Sequence, residues 1–367
     1  MEVTYSAAAG AALQETLAST ADAGPVEGIL LLAAPDPAFR SAAFESTLQE
    51  LPVPVVGGIF PEILHEGRKT ETGAVIVGLP SEPLVTTVSD LNDSTTAFRE
   101  QLDPDLPARG YETAFVFVDT YATAIEPFIE ALFRTYSVEL NFVGGGAGTL
   151  EGQHPCLFTD EGVIEDAAVV ATIPESMEIG VNHGWQTIAG PFRVTDAEGS
   201  TLNTLDGKPA FSVYSDVVAE AADERVTAEN FFEVAKSYPF GIGRMAAEQI
   251  VRDPYSLHDG SLSCFGEMPE GEFVSVLEGD PDSLVEAART AHDHALRGTE
   301  DPEALCVFDC VSRVLYLEDE FDRELAALQS ESLPLFGALT IGEIANDGSG
   351  HLDYYNKTAV VGALTEP

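Results

Sequence analysis

Continuous apolar runs recur three times along the chain, and a similar order of polar and small residues follows each one. The first run covers residues 28–34, an amphipathic stretch follows at 41–51, a second apolar run at 53–59 carries Gly57 and Gly58, and a third lies at 73–79. The next recurrence starts at 114–120. It continues with a stretch at 124–136 that sets Phe128, Ile129, Leu132 and Phe133 on one helical face, then 141–148 and 166–173. The last comprises 304–310, a helical stretch at 319–329, then 333–340 and 357–364. Each copy predicts strand, helix, strand ending in small residues, loop, strand. Runs that are apolar at every position suit central strands covered on both faces. The helix between the first two strands gives the length that a parallel crossover needs, and the final strand fits an antiparallel return. Gly57-Gly58, Gly144-Gly145-Gly146 and Gly337-Ala338 fall at matching places, the mark of an internal repeat.

Between the second and third copies, residues 177–213 read as β-rich, with Asp206-Gly207-Lys208-Pro209 as a turn. Residues 211–222 and 228–238 read as helices, the second ended by Pro239. The acidic stretch 221–228 suggests a boundary near 225. The expected organisation is a leader segment at 1–27, an N-terminal domain at 28–225 and a C-terminal domain at 226–367. The fold class is α/β (α+β): a layered sandwich of mixed sheets flanked by helices, built from about three strand-helix-strand-strand repeats.

Composition narrows the class. Hydrophobic residues make up 45% of the 367, enough for large cores, yet 62 Asp and Glu face 17 Lys and Arg, a formal charge of −45. A folded chain with that charge repels itself at low ionic strength. At about 1 M salt the Debye length falls to about 3 Å and the repulsion is screened. The reading is a folded protein with an acidic surface adapted to high salt, as in a halophile. No Lys/Arg cluster is present to neutralise phosphates, which argues against nucleic acid. No basic N-terminal region precedes an apolar stretch, and no run approaches 18 apolar residues, so neither a signal peptide nor membrane insertion is expected. Four cysteines without metal-type spacing or a disulfide framework fit a reducing cytoplasm.

Several segments carry candidate chemistry. Gly144, Gly145 and Gly146 form the most glycine-dense stretch and read either as a tight strand end or as the wall of a ligand pocket. The segment lacks the lysine of a phosphate loop and the spacing of a dinucleotide fingerprint. His183 lies two residues from Trp185, the one tryptophan, and reads as a structural residue, a pocket lining or a haem ligand. Cys310 and Arg313 combine a thiol with a scarce guanidinium at a strand end. Arg313 is a candidate for fork-like binding of a carboxylate, and Cys310 reads as a core residue or a reactive thiol. Thr340 and Glu343 flank a glycine turn, Asn356 opens the last strand, and together they suggest a polar rim. No hydrolase triad or zinc-protease motif is present.

Taken together, Gly144-Gly145-Gly146, His183-Gly184-Trp185, Leu205-Asp206-Gly207, Asp309-Cys310-Val311-Ser312-Arg313, Ile341-Gly342-Glu343 and Asn356-Lys357-Thr358 resemble the FIST family, named for F-box and intracellular signal transduction proteins. The resemblance runs from about residue 28 to 364. Phe60-Pro61 departs from the small Ser/Thr-rich turn of the first copy, and Ser312 stands where the family pattern has glycine. The resemblance implies a sensory domain that binds a small ligand such as an amino acid and passes its signal to a separate protein, such as a kinase or transducer. On that reading a ligand carboxylate meets Arg313 or backbone amides and its ammonium meets Glu343. Two other readings stay open: a haem or nitric-oxide sensor through His183, and a thiol-dependent enzyme using Cys310.

Overall fold

The three repeats become three sheets with one strand order, and each sheet borrows its last hairpin from another repeat. The computed structural model describes residues 1–222, 225–244, 248–330, 332–346 and 350–365. In the first sheet the order is Glu2–Ser6, Ala74–Leu79, Gly28–Ala33 and Val55–Ile59, followed by the hairpin of Leu157–Thr159 and Gly162–Ile164 from the second repeat. The second sheet runs Leu84–Ser89, Ala167–Ile173, Thr113–Asp119 and Asn141–Ala147, followed by Glu343–Asn346 and Leu352–Tyr355 from the third. The third sheet runs Met177–Asn182, Ala359–Leu364, Ala304–Cys310 and Leu335–Thr340, followed by Glu62–His65 and Arg68–Thr70 from the first. The exchange therefore closes in a circle.

Within each repeat the first two strands pair in parallel and the last returns antiparallel to the first. The parallel registers set Gly57 opposite Leu31, Gly144 opposite Val116 and Gly337 opposite Val307. A Cβ on those glycines would lie 1.8, 2.0 and 1.8 Å from the carbonyl oxygens of Leu31, Val116 and Val307. Close backbone approach, repeated three times, explains why glycine marks this position. The repeats meet at buried aromatic rings: Phe117 lies 5.5 Å from Phe60 and 5.7 Å from Phe308, edge to face in both cases.

Residues 1–27, expected as a leader, supply the edge strand Glu2–Ser6 and the helix Ala11–Ala21, whose Leu13 and Leu17 are buried. A fourth, eight-stranded antiparallel sheet spans strands from Gln186 to Glu278. It carries the helices Ala210–Ala222 and Phe231–Ala235, so residue 225 lies within the chain segment that builds this one sheet. The Asp206-Gly207 turn forms with both residues at positive φ, 51° and 74°, as a tight hairpin requires. The helix Pro281–Arg297 then covers the third sheet. Its N-terminus is fixed by a capping box between Asp280 and Ser283, and Ala288, Ala291 and Ala295 are buried beneath it.

The third repeat differs from expectation in one respect. Its strand stops at Cys310 and a helix, Val311–Leu317, begins at the next residue, followed by Phe321–Leu328. Arg313 is therefore a helical residue, and its side chain turns back beneath the strand end.

Candidate ligand-binding site

Parallel strands leave their carboxyl ends free of the crossover helices, and crevices there are the usual ligand sites of open α/β sheets. Each repeat has such a tip. In the first, the space beside Pro35, Asp36 and Ile59 shrinks to about 10 Å³. In the second, the Tyr121 hydroxyl donates to the Thr149 carbonyl oxygen at 2.7 Å. The third stays open as a cleft of about 250 Å³ between the tip and the fourth sheet.

The cleft has an apolar mouth and a polar floor. Leu150, Phe232, Phe265 and Leu315 line the mouth and are 59, 51, 40 and 43% exposed. These large apolar side chains gather at one opening rather than being scattered singly over the surface. The floor is formed by Cys310, Ser312, Asn356, Lys357 and Asp253. The Lys357 ammonium lies 3.2 Å from Asp253 Oδ2, donates to the Lys236 carbonyl at 3.0 Å, and sits 5.0 Å from the centre of the Trp185 ring. Its backbone is left-handed, with φ 52°, a strained conformation for a lysine. Asp253 Oδ1 and Asn356 Oδ1 are buried and have no hydrogen-bond partner. The Asn356 orientation is fixed, because its Nδ2 donates to the Tyr355 carbonyl at 2.6 Å. Burial pushes the Asp253 carboxyl up, and Lys357 and Ser312 pull it back.

Behind the floor lies a second layer. Thr340 Oγ1 donates to Glu343 Oε1 at 2.9 Å, the Thr358 amide reaches Oε2 at 3.3 Å, and the Cys310 thiol hydrogen-bonds the same carboxyl. Burial pushes Glu343 up to about 8 despite these bonds. The Cys310 thiol is itself pushed well up, first by burial and then by the neighbouring Glu343. It holds its proton at neutral pH, which makes it a poor nucleophile.

The structure brings Cys310 and Asn356 to the cleft and sets the other expected site residues elsewhere. Arg313 is fully buried and its donors are all engaged. Its Nε and Nη2 grip Glu324 at 2.8 Å each, Nη1 donates to the carbonyls of His183 and Lys357, and Nη2 also donates to that of Leu284. Asp309 lies 3.2 Å from Nε and is pushed well up by burial and by Glu324. The expectation of a ligand carboxylate on Arg313 is corrected: no N–H is left for one. Glu343 is likewise not open to a ligand ammonium, since Cys310, Thr340 and Thr358 enclose it. Gly144, Gly145 and Gly146 do not line the cleft. Added Cβ atoms would strike Val116, Gly342 and Ile341 carbonyl oxygens at 2.0, 2.5 and 2.2 Å, so these glycines serve strand packing. Trp185 lies behind the floor, its Nε1 donating to the Lys357 carbonyl at 3.1 Å and its ring 5.0 Å from Tyr316.

His183 opens onto a different surface. Its Nδ1 accepts the Trp185 amide at 2.9 Å, and its Nε2 lies 3.0 Å from Glu248. The shallow depression there also carries Asn182, Ser283, Glu286 and Thr290. A haem ligand needs a free ring nitrogen facing an apolar slot. One nitrogen is engaged and the other faces a carboxylate, so these residues do not fit haem.

Sequence reasoning missed Asp253, Phe232, Phe265 and Leu315, and met Ser312 only as part of the Asp309–Arg313 motif. Lys357 was visible only as part of the Asn356-Lys357-Thr358 turn, although cations are scarce in this chain. No described helix is long and apolar enough to cross a membrane.

Three cyclically joined α/β units with an inserted sheet, and an open strand tip beneath it, define a mixed α/β protein. The profile of the FIST N domain matches residues 27–208 and that of the FIST C domain matches residues 210–346. The chain belongs to the FIST family, whose domains are sensory domains of signal transduction. No curated protein matches it.

Proposed function

We propose that the chain is a small-ligand sensor whose site is the cleft at the tip of the third repeat. One observation carries this reading: the tip of the third repeat combines an exposed apolar mouth with buried, unpaired polar atoms. Buried polar atoms normally find a partner, and two orphans beneath one opening are what a bound molecule would satisfy. At about 250 Å³ the cleft falls below the roughly 300–1,000 Å³ of drug-sized sites, so the ligand is small. Phe232 and Lys236 belong to the fourth sheet's layer and Cys310 and Leu315 to the third repeat, so a ligand would join the two. That junction is the element through which occupancy would reach a separate signalling protein such as a kinase or transducer. The protonated state of Cys310 gives no support to thiol catalysis. The four cysteines are free, which fits a reducing cytoplasm.

The test is thermal unfolding in molar salt against a panel of small apolar and amphipathic compounds. A ligand at 100 times its Kd adds about 2.7 kcal/mol. The stabilisation should disappear in the double variant Phe232→Ser, Leu315→Ser, which alters only the exposed mouth. A panel without effect, or one equally effective on the double variant, contradicts the reading.

A further inference from the structure

We infer that the cleft reads an apolar primary amine, and that it does not read a carboxylate. This rests on the cleft being the ligand site. The first ground is the sign of the unsatisfied groups. Both orphans on the floor, Asp253 Oδ1 and Asn356 Oδ1, are hydrogen-bond acceptors, and their residues are 7 and 2% exposed. Asn356 Nδ2 donates to the Tyr355 carbonyl, and Oδ1 is the atom of this side chain left without any partner. A ligand that satisfies both must bring at least two N–H or O–H donors on one small head. A primary ammonium brings three.

The second ground is the state of the cations. A carboxylate head would need an uncommitted positive group, and the side-chain cations nearest the floor are engaged. Lys357 is held by Asp253 and the Lys236 carbonyl. The Lys236 ammonium lies 3.0 Å from Glu233 and 3.6 Å from Glu318. Arg313 is saturated by Glu324 and three carbonyl oxygens. Burying an unpaired carboxylate beside two acceptor oxygens would cost heavily. The Lys357–Asp253 pair is neutral as a unit; Lys357 occupies Oδ2 and Ser312 also hydrogen-bonds the carboxylate, whose Oδ1 keeps acceptor capacity for the ligand. The net charge of −45 adds a field that favours a cation over an anion.

The third ground is the mouth. Phe232, Phe265, Leu150 and Leu315 offer apolar contact to the body of the ligand. Aromatic faces at the opening also tolerate a passing ammonium.

Isothermal titration in molar salt with four compounds on one apolar body decides the matter: 2-phenylethylamine, phenylalanine, 3-phenylpropionate and 2-phenylethanol. The amine should bind at least about ten-fold more tightly than the acid and the amino acid. Asn356→Leu and Asp253→Asn should each erase that preference. If Asp253→Asn does not fold, Asn356→Leu carries the comparison. Equal binding of the acid or the amino acid overturns the head-group inference and leaves the cleft as the site. Failure of all four to bind overturns both.

Discussion

Glu343 shows how a single buried side chain can bear on stability from behind the cleft floor. Its carboxyl is buried, bonded to Thr340, Thr358 and Cys310, and pushed up to about 8 from an ordinary 4.5. Between those values the folded chain keeps a proton that the unfolded chain releases. The contribution to stability is therefore full below about pH 4.5 and is lost as pH rises through about 8. Glu343→Gln fixes the neutral form. Denaturant unfolding at pH 5 and pH 9 should show the variant gaining on the parent protein as pH rises; parallel pH dependences would contradict the assignment. Arg313 teaches the complementary lesson. A scarce arginine beside a cysteine suggested ligand binding, but its partners come from Glu324, His183 and Leu284, on elements that the sequence does not show to be neighbours. Cys310 ends a strand and Asn356 lies in the turn before the last strand, places where the sequence alone suggested site residues and where the cleft now lies. Asp253 was not legible, because it is one acid among 62 and only burial distinguishes it.

At the scale of elements, the strands were readable and their exchange was not. Apolar runs at 28–34, 114–120 and 304–310 announced central strands, and the matching glycines announced a repeat. The physical reason for those glycines is the carbonyl oxygen of the paired parallel strand. Gly337→Ala places a Cβ 1.8 Å from the Val307 oxygen, and should cost about 1–3 kcal/mol or more, as overpacked positions do. Gly24→Ala, which meets nothing within 4 Å, should stay within about 0.5 kcal/mol. Equal unfolding free energies for the two variants would remove the close-approach explanation. The hairpin exchange leaves no trace in periodicity, since a strand reads the same whichever sheet it joins. The helix at Val311–Leu317 was hidden for another reason: β-branched Val311 and Val314 resemble a strand, and tertiary packing of Arg313 decides otherwise.

At the scale of the molecule, a circle of three similar units has been made asymmetric. The inserted fourth sheet lies over one tip, which stays open as a cleft. Acidic residues are largely outside the core, with seven buried among the described residues, so the remaining charge is left to solvent and its screening depends on salt. Trp185, the one tryptophan, sits behind the cleft floor, bonded to the Lys357 carbonyl and stacked near its ammonium. It is a built-in reporter of what happens to Lys357. The most direct measurement is therefore Trp185 emission during titration with 2-phenylethylamine in molar salt. A saturable change that follows the stabilisation of the fold, and that is absent from Phe232→Ser, Leu315→Ser, is the expected result. Unchanged emission at concentrations that stabilise the protein, or the same change in the double variant, would place the ligand somewhere other than this cleft.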